Sequence, residues 1–182
     1  MRVAVIGPQN TGKSTFIKDF ITAHPEYTSP TRTYRDVVAE RGLHINQLTG
    51  RESQELIRDF LIDQVATNTL QHVIFDRTVI DNYVYTKIAE GNGGIDAAFV
   101  TDTWHKSIEA LRHLDMLFFV PTAASISLVN DELRDTDVAF IDAVNREFKD
   151  VLLKIRTLSP IEICVLAGSR EARVIEAKHC LG

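Results

Sequence analysis

Cysteine, methionine and tryptophan are scarce in this chain of 182 residues, which holds two, two and one of them. Cys164 and Cys180 are too few and too far apart for a zinc-ligand pattern or a Cys-x-x-Cys redox pair. Five prolines and nine glycines exclude collagen and low-complexity chains, and two cysteines exclude a disulfide-rich secreted scaffold. The histidines at 24, 44, 72, 105, 113 and 179 are scattered. They form no metal-binding pair, and no serine–histidine or cysteine–histidine spacing suggests nucleophilic catalysis. No apolar run approaches the roughly 20 residues that span a bilayer, so no membrane partner is expected. The apolar stretch between Met1 and Gly7 is too short for a signal peptide. Basic residues are outnumbered, 20 against 25 acidic, for a net charge of −5. That balance argues against a broad nucleic-acid-binding face and leaves room for a local basic cleft. The expected compartment is reducing and cytoplasmic.

What is present is ordinary for one soluble globular domain over residues 1–182: 45% hydrophobic and 25% charged side chains. Val3 to Ile6, His72 to Asp76 and Met116 to Pro121 are short apolar runs that read as buried strands, and Ile161 to Leu166 reads as a last strand. Tyr27 to Ser29 adds a short fifth. Helical periodicity covers Lys13 to Ala23, Tyr34 to Glu40, a helix opening at Thr49-Gly50-Arg51-Glu52, and Val79 to Glu90. After the breaker Gly91-Asn92-Gly93-Gly94 it resumes over Ile95 to Leu111, Asp137 to Arg156 and Arg170 to His179. The cap of the 137–156 helix is expected around Asp135 or Thr136. Cys164, within an apolar run, reads as a small buried hydrophobe; Trp104, Phe118 and Phe119 read as core. Strands that are apolar throughout, alternating with helices, predict an α/β fold of three layers, α/β/α, around a mostly parallel five-stranded sheet.

The strongest local signal follows the first strand. Gly7-Pro8-Gln9-Asn10-Thr11-Gly12-Lys13-Ser14 fits G-x-x-x-x-G-K-S/T at every defined position, between a strand and a helix. Glycines let the backbone curl until its N–H groups converge on a phosphate, and the helix that follows adds its partial positive charge. Gly7, Asn10, Thr11, Gly12, Lys13, Ser14 and Thr15 are therefore the candidate nucleotide-binding residues. Lys13 supplies a point charge to the β- and γ-phosphates, and the Ser14 hydroxyl is a candidate Mg²⁺ ligand. A nucleoside triphosphate and Mg²⁺ are the expected cofactors.

The second clear strand ends in Phe75-Asp76-Arg77. Parallel strands open at one end onto a shared crevice, which would bring Asp76 to the metal alongside Ser14. Arg77, Asp81 and Tyr85 lie four apart, so they share a helical face if the helix starts early. A cation, an acid and an aromatic ring at one mouth could bind a small polar acceptor; a solvated helix face would look similar. An aromatic such as Tyr83 or Tyr85 could stack on a base or simply pack.

The P-loop, Asp76-Arg77, Asp81 and Tyr85 together resemble the P-loop kinases that phosphorylate nucleosides and nucleoside monophosphates. The chain is most similar to the AAA-like ATPase/kinase family that includes the nicotinamide riboside kinase domain of bacterial NAD regulators. That resemblance covers most of the chain, including Tyr34-Arg35-Asp36, the helix with Gln54 to Gln64, and Asp131 to Asp137. It implies a helical lid at about residues 125–140, from which Arg134 would stabilise charge on the transferring phosphoryl group. One departure stands out. The family often has an acid a few positions before the arginine matched by Arg35, where this chain has Arg32. Asp36, Asp76 and Asp81 all remain candidates for the acid that orients the acceptor hydroxyl. Arg32 and Arg35 could instead bind an acceptor phosphate.

The expected activity is transfer of phosphate from ATP to a nucleoside, nucleotide or related ribosylated small molecule. Lys13, Asp76, Arg134 and Asp36 are the catalytic candidates. Arg32, Arg35, Asp36, Arg77, Asp81 and Tyr85 are the candidates for the acceptor side. Two alternatives stay open. One is a phage-type kinase acting on hydroxymethyl-pyrimidine in DNA, which the charge of −5 disfavours. The other is a P-loop NTPase switch or motor, against which stand the missing Asn/Thr-Lys-x-Asp guanine pattern and the short chain.

Overall fold

The computed structural model describes residues 1–43, 49–122 and 137–182. Its strands are β1 (Arg2–Ile6), β2 (Val73–Asp76), β3 (Met116–Phe119) and β4 (Glu162–Val165). Its helices are α1 (Lys13–Ala23), α2 (Tyr34–Arg41), α3 (Arg51–Thr67), α4 (Val79–Gly91), α5 (Ala97–Ala110), α6 (Val138–Leu158) and α7 (Arg170–Leu181). All strand pairings are parallel and the order is β2-β1-β3-β4. β1 lies between β2 and β3 because each crossover helix carries the chain to a different side of it. That reversal opens a crevice at the carboxyl ends of the strands. The register aligns Val5 with both Asp76 and Phe118, so the loop after β1 and the end of β2 emerge together.

Side-chain alternation divides the sheet into two faces. Val3, Val5, Ile74, Met116 and Phe118 pack against Phe16, Ile17 and Phe20 of α1 and Ala177 of α7. Ala4, Ile6, Phe75, Leu117 and Phe119 pack on the other face against α4, α5 and α6, with Val144, Phe148, Val151 and Ile155 of α6 at its centre. Both faces are covered along residues 3–6, residues 73–75 and β3, which is why those runs are apolar rather than alternating. At the sheet edge, β4 leaves Glu162 and Val165 exposed. Tyr34 and Val38 of α2 join Ile57 and Leu61 of α3 in a smaller cluster beside the crevice.

Four differences from the sequence-based expectation have physical causes. The sheet has four strands among the described residues, not five, and it is wholly parallel. Around Tyr27 to Ser29 only Thr28 bridges to Val73, donating to the His72 carbonyl at 3.1 Å and accepting from Ile74 N–H at 2.9 Å. Pro25 and Pro30 bracket the segment, and proline has no N–H with which to extend a ladder. The cap of α6 is Asp137, whose carboxylate accepts from Ala139 N–H at 2.9 Å and Phe140 N–H at 3.2 Å. Asp135 and Thr136 lie outside the described residues. The helix predicted from Ile95 to Leu111 is capped at Asp96 and ends in one 3₁₀ turn over Leu111–His113. Finally, Cys164 is buried as expected, but as half of a disulfide with Cys180. The chain between them folds α7 back along β4 and brings the two Cα atoms within 6.3 Å. No helix among the described residues is long and apolar enough to cross a membrane.

Gly7 links this frame to the site. It leaves β1 at φ 139°, and a Cβ added there would lie 2.3 Å from the Val120 carbonyl oxygen, a backbone atom of the neighbouring strand's exit. Gly7→Ala therefore has to push β1 and β3 apart where the loop begins. It should lower the unfolding free energy by about 2 kcal/mol or more, read as a fall in urea midpoint at constant m.

Candidate active site

The loop between β1 and α1 is shaped by backbone that few side chains tolerate. Asn10 sits at φ 59° and Gly12, the residue before α1, at φ 84°. Thr11 donates from its hydroxyl to the Pro8 carbonyl at 3.0 Å. Lys13 folds back over the loop and donates to the Gly7 carbonyl at 2.7 Å and to the Pro8 carbonyl. Burial above all, and then the Arg77 guanidinium, pull its ammonium down from the usual lysine range to about 7; Asp81 and Asp76 act the other way. Residues Gln9 to Thr15, with Arg35, Asp76 and Arg77, line a cavity of about 480 Å³ over this loop. In its wall Ser14 donates from its hydroxyl to an Asp76 carboxylate oxygen at 3.1 Å. A hydroxyl and a carboxylate side by side form a hard oxygen donor set of the kind Mg²⁺ takes, so these two residues fit that ion.

Arg77 follows β2 with φ 76°, a conformation uncommon for a side chain larger than glycine's. It is held there by its own N–H, which donates to the Val5 carbonyl at 3.0 Å, and by its surroundings. The guanidinium lies 4.8 Å from the centre of the Tyr34 ring and 5.6 Å from that of Tyr85, and it pairs with Asp81 at 3.6 Å. Asp81 is itself 1% exposed. It is the third residue of α4, reaching back to Thr78 N–H at 3.0 Å in a capping box, and it also accepts from Gly7 N–H at 3.3 Å. Burial lifts its carboxyl to about 6, against the opposing pull of Arg77 and Lys13.

Beyond Arg77 a second cavity, of about 380 Å³, opens between α2, α3 and α4. Its walls are Tyr34, Ile57, Leu61 and Tyr85, and its polar groups are Gln54, Arg77, Asp81 and Asn82. Asn82 donates from its amide nitrogen to the Gln54 carbonyl at 2.9 Å and to the Gln54 side-chain oxygen at 2.7 Å. Thr86 adds a hydroxyl to that same oxygen at 3.3 Å, and the Gln54 amide donates to Thr49 at 2.7 Å. These bonds fix the orientation of Asn82, and its Oδ1 remains buried with no hydrogen-bond partner. The Tyr85 hydroxyl donates across to Gln9 at 2.5 Å, joining the two cavities by a hydrogen bond as Arg77 joins them by its position.

The residues picked out from sequence fall into three groups. Asn10, Thr11, Gly12, Lys13, Ser14, Thr15, Arg35, Asp76 and Arg77 line the phosphate-loop cavity, while Arg77, Asp81 and Tyr85 line the second. Gly7 acts beneath both, through Asp81. Asp36 and Arg32 line neither. The Asp36 carboxylate accepts from the Thr33 N–H at 2.6 Å and hydroxyl at 2.9 Å, capping α2 and holding its own pKa below the usual range. Arg32 is exposed and pairs with Glu40 at 2.6 Å. Arg134 and most of the 125–140 lid segment lie outside the described residues. Tyr83 packs on Trp104, ring centres 4.9 Å apart, and has no part in either cavity. Gln9, Gln54 and Asn82 were missed. Gln54 did leave a signal: it precedes Ile57 and Leu61 by three and seven, so an amide occupies a core position of its helix.

Residues 2–173 match the family model described as an AAA domain. No curated protein sequence matches the chain. Among solved structures, the deoxyadenosine kinase of M. mycoides with dCMP and dCDP bound superposes with a TM-score of 0.71 at 14% identity, covering 100% of this chain and 98% of that one. The NadR protein in complex with NR gives 0.70 at 15% identity; the match covers 97% of this chain and 50% of that longer one. The thymidylate kinase of Candida albicans gives 0.66 at 15%, covering 98% and 89%. At such identities these likenesses establish a shared fold.

Asp81 holds two backbone N–H groups and a guanidinium, all buried. Asp81→Ala would strand all three and should lower the unfolding free energy by about 3–5 kcal/mol. Asp81→Asn, which keeps one carbonyl oxygen for them, should lose clearly less. Equal urea midpoints for Asp81→Ala and the parent would rule out this bracing role.

Proposed function

The chain belongs to the AAA domain family, and we propose that it is a kinase: it transfers the γ-phosphoryl group of ATP to a hydroxyl or phosphate of a nucleoside, nucleotide or related ribosylated small molecule. One observation carries the reading. Arg77 is a shared wall of two cavities, one over the phosphate loop and one lined by aromatic and amide side chains. A phosphate donor and an organic acceptor held there would meet at a single buried guanidinium. A switch or motor that only hydrolyses its nucleotide has no need of the second cavity. The likeness to kinases named for deoxyadenosine and thymidylate points the same way.

In this mechanism the loop N–H groups and Lys13 hold the donor's phosphates, and Arg77 draws negative charge toward the acceptor cavity. Ser14 and Asp76 would hold Mg²⁺. When bound, that ion neutralises charge on the phosphates. Tyr34 and Tyr85 offer flat apolar surface to a ring, while Asn82 and Gln54 offer amide groups to its edge. Of the three acids, Asp36 caps α2 and Asp81 braces Gly7, Thr78 and Arg77. Asp76 lines the phosphate-loop cavity beside Arg77 and gives only one oxygen to Ser14, so its carboxylate can both face Mg²⁺ and orient the acceptor group. Arg134 is the further cation that the family resemblance implies for the scheme. Use of ATP points to the cytoplasm, whereas the Cys164–Cys180 disulfide departs from the reducing compartment expected there.

The test is ATP turnover with Mg²⁺ over a panel of nucleosides, nucleoside monophosphates, nicotinamide riboside and hydroxymethyl-pyrimidine DNA, with product identified by mass. Strong stimulation by one small-molecule member supports the proposal, and activity on the polymer alone would move it to DNA modification. Turnover indifferent to every acceptor would defeat the kinase reading. With the acceptor in hand, Asp76→Asn should reduce kcat by about a hundredfold or more, whereas Asp36→Asn should change it less than about threefold. Lys13→Ala should abolish transfer and leave the fold intact.

A further inference from the structure

The phosphate loop is braced from below by a helix that the scheme above leaves unused. Arg173, in the first turn of α7, is 7% exposed, and its Nη1 donates to the Thr11 carbonyl at 2.7 Å. Its Nε is buried without a hydrogen-bond partner. Among the described residues no carboxylate pairs with it, and burial is what acts on its charge, pulling its pKa down. Arg170, three residues earlier, is the contrast: it takes Asp19 of α1 in two hydrogen bonds of 2.9 and 2.6 Å. That bidentate pair pins the start of α7 to α1, and the disulfide to Cys180 pins its far end to β4. Arg173 is therefore held in place by its helix, not by an anion of its own.

Two consequences follow from this placement. The first concerns the peptide plane. There are no cis peptides in the described chain, so the Thr11 carbonyl and the Gly12 N–H point in opposite directions. Fixing that carbonyl toward α7 turns the Gly12 N–H away from α7. Gly12 lines the phosphate-loop cavity. The guanidinium also packs against the Gly12 α-carbon: a Cβ there would come within 3.2 Å of Nη1. The second concerns charge. A buried cation beside the amino end of α1 sits at the positive end of that helix dipole, where it is unfavourable until an anion arrives.

We propose that Arg173 is a positioning residue of the donor site: it orients the Thr11–Gly12 peptide toward the phosphates and supplies buried positive charge that a bound polyphosphate neutralises. The proposal rests on reading the loop as a polyphosphate site. It goes beyond that reading by drawing α7 into the affinity for the phosphates.

Binding of ATP, ADP and inorganic tripolyphosphate to the full chain, followed by calorimetry, tests it together with the melting temperature of the ligand-free protein. Arg173→Met should weaken all three ligands by roughly ten- to hundredfold. The ligand-free melting temperature should hold or rise, since an unpaired buried charge has been removed. Arg173→Lys, which keeps charge and donor, should recover part of the affinity, and it stands as the test if the methionine variant does not fold. Loss of affinity should be as large for tripolyphosphate as for ATP, because the effect lies with the phosphates. Parent-like affinity in a folded variant would overturn the proposal, and so would a lowered melting temperature with unchanged affinity. If the parent itself binds none of the three, and Lys13→Ala makes no difference, the polyphosphate reading of the loop fails first.

Discussion

A buried ion pair organises this molecule. Arg77 and Asp81 are both removed from water, and removing two charges from water costs several kcal/mol for each ion before any attraction is counted. What offsets that cost is geometry. Asp81 accepts from two backbone N–H groups as well as from the guanidinium, and Arg77 lies between the rings of Tyr34 and Tyr85. One of those N–H groups belongs to Gly7, the first residue of the phosphate loop. The pair thereby ties the loop after β1, the exit of β2 and the first turn of α4 into one unit. Its position explains why Arg77 keeps a left-handed backbone: relaxing φ would swing the guanidinium out from between the rings and leave Asp81 unpaired.

The net charge of −5 takes on a different meaning at this scale. Lys13, Arg35 and Arg77 converge on a single cavity, with Arg173 beneath it, while acids are spent on helix caps and surface pairs elsewhere. Asp36, Asp96 and Asp137 each cap a helix, and Glu55, Asp59 and Asp102 surround the buried Arg58. An acidic chain can therefore present a strongly cationic cleft. The composition argues against a broad basic surface and leaves room for this small one.

How much of this was legible follows from what each signal depends on. The strands and helices were readable because both sheet faces are covered: three uninterrupted apolar runs, and a fourth broken by Glu162, alternate with helical stripes, and α1 spans the residues its periodicity marks. The phosphate loop was readable because its chemistry is local, a strand, a curl and a helix start within eight residues. The second cavity was not, because its members come from α2, α3 and α4 and only packing selects among them. Arg77, Asp81 and Tyr85 were found by their spacing, which the helix preserves. Asp36 looked equally acidic, but its side chain is committed to Thr33, a contact that sequence alone does not distinguish from a free carboxylate. Arg173 and the cysteine pair lie beyond such reasoning, since each depends on where the last helix returns to the sheet.

That return also bears on how the loop after β1 is held. The loop after β1 is gripped on one side by Asp81 through Gly7 N–H and on the other by Arg173 through the Thr11 carbonyl. The two grips come from helices on opposite faces of the sheet, α4 and α7. A loop held from both sides has its N–H groups oriented before any ligand arrives, so little reorganisation remains to be done on binding. On the proposed reading, the donor is then received by a rigid cradle and the acceptor by a separate cavity, with Arg77 between them. Selectivity for transfer over hydrolysis then depends on how completely the acceptor fills its side, because water enters wherever that cavity is left open.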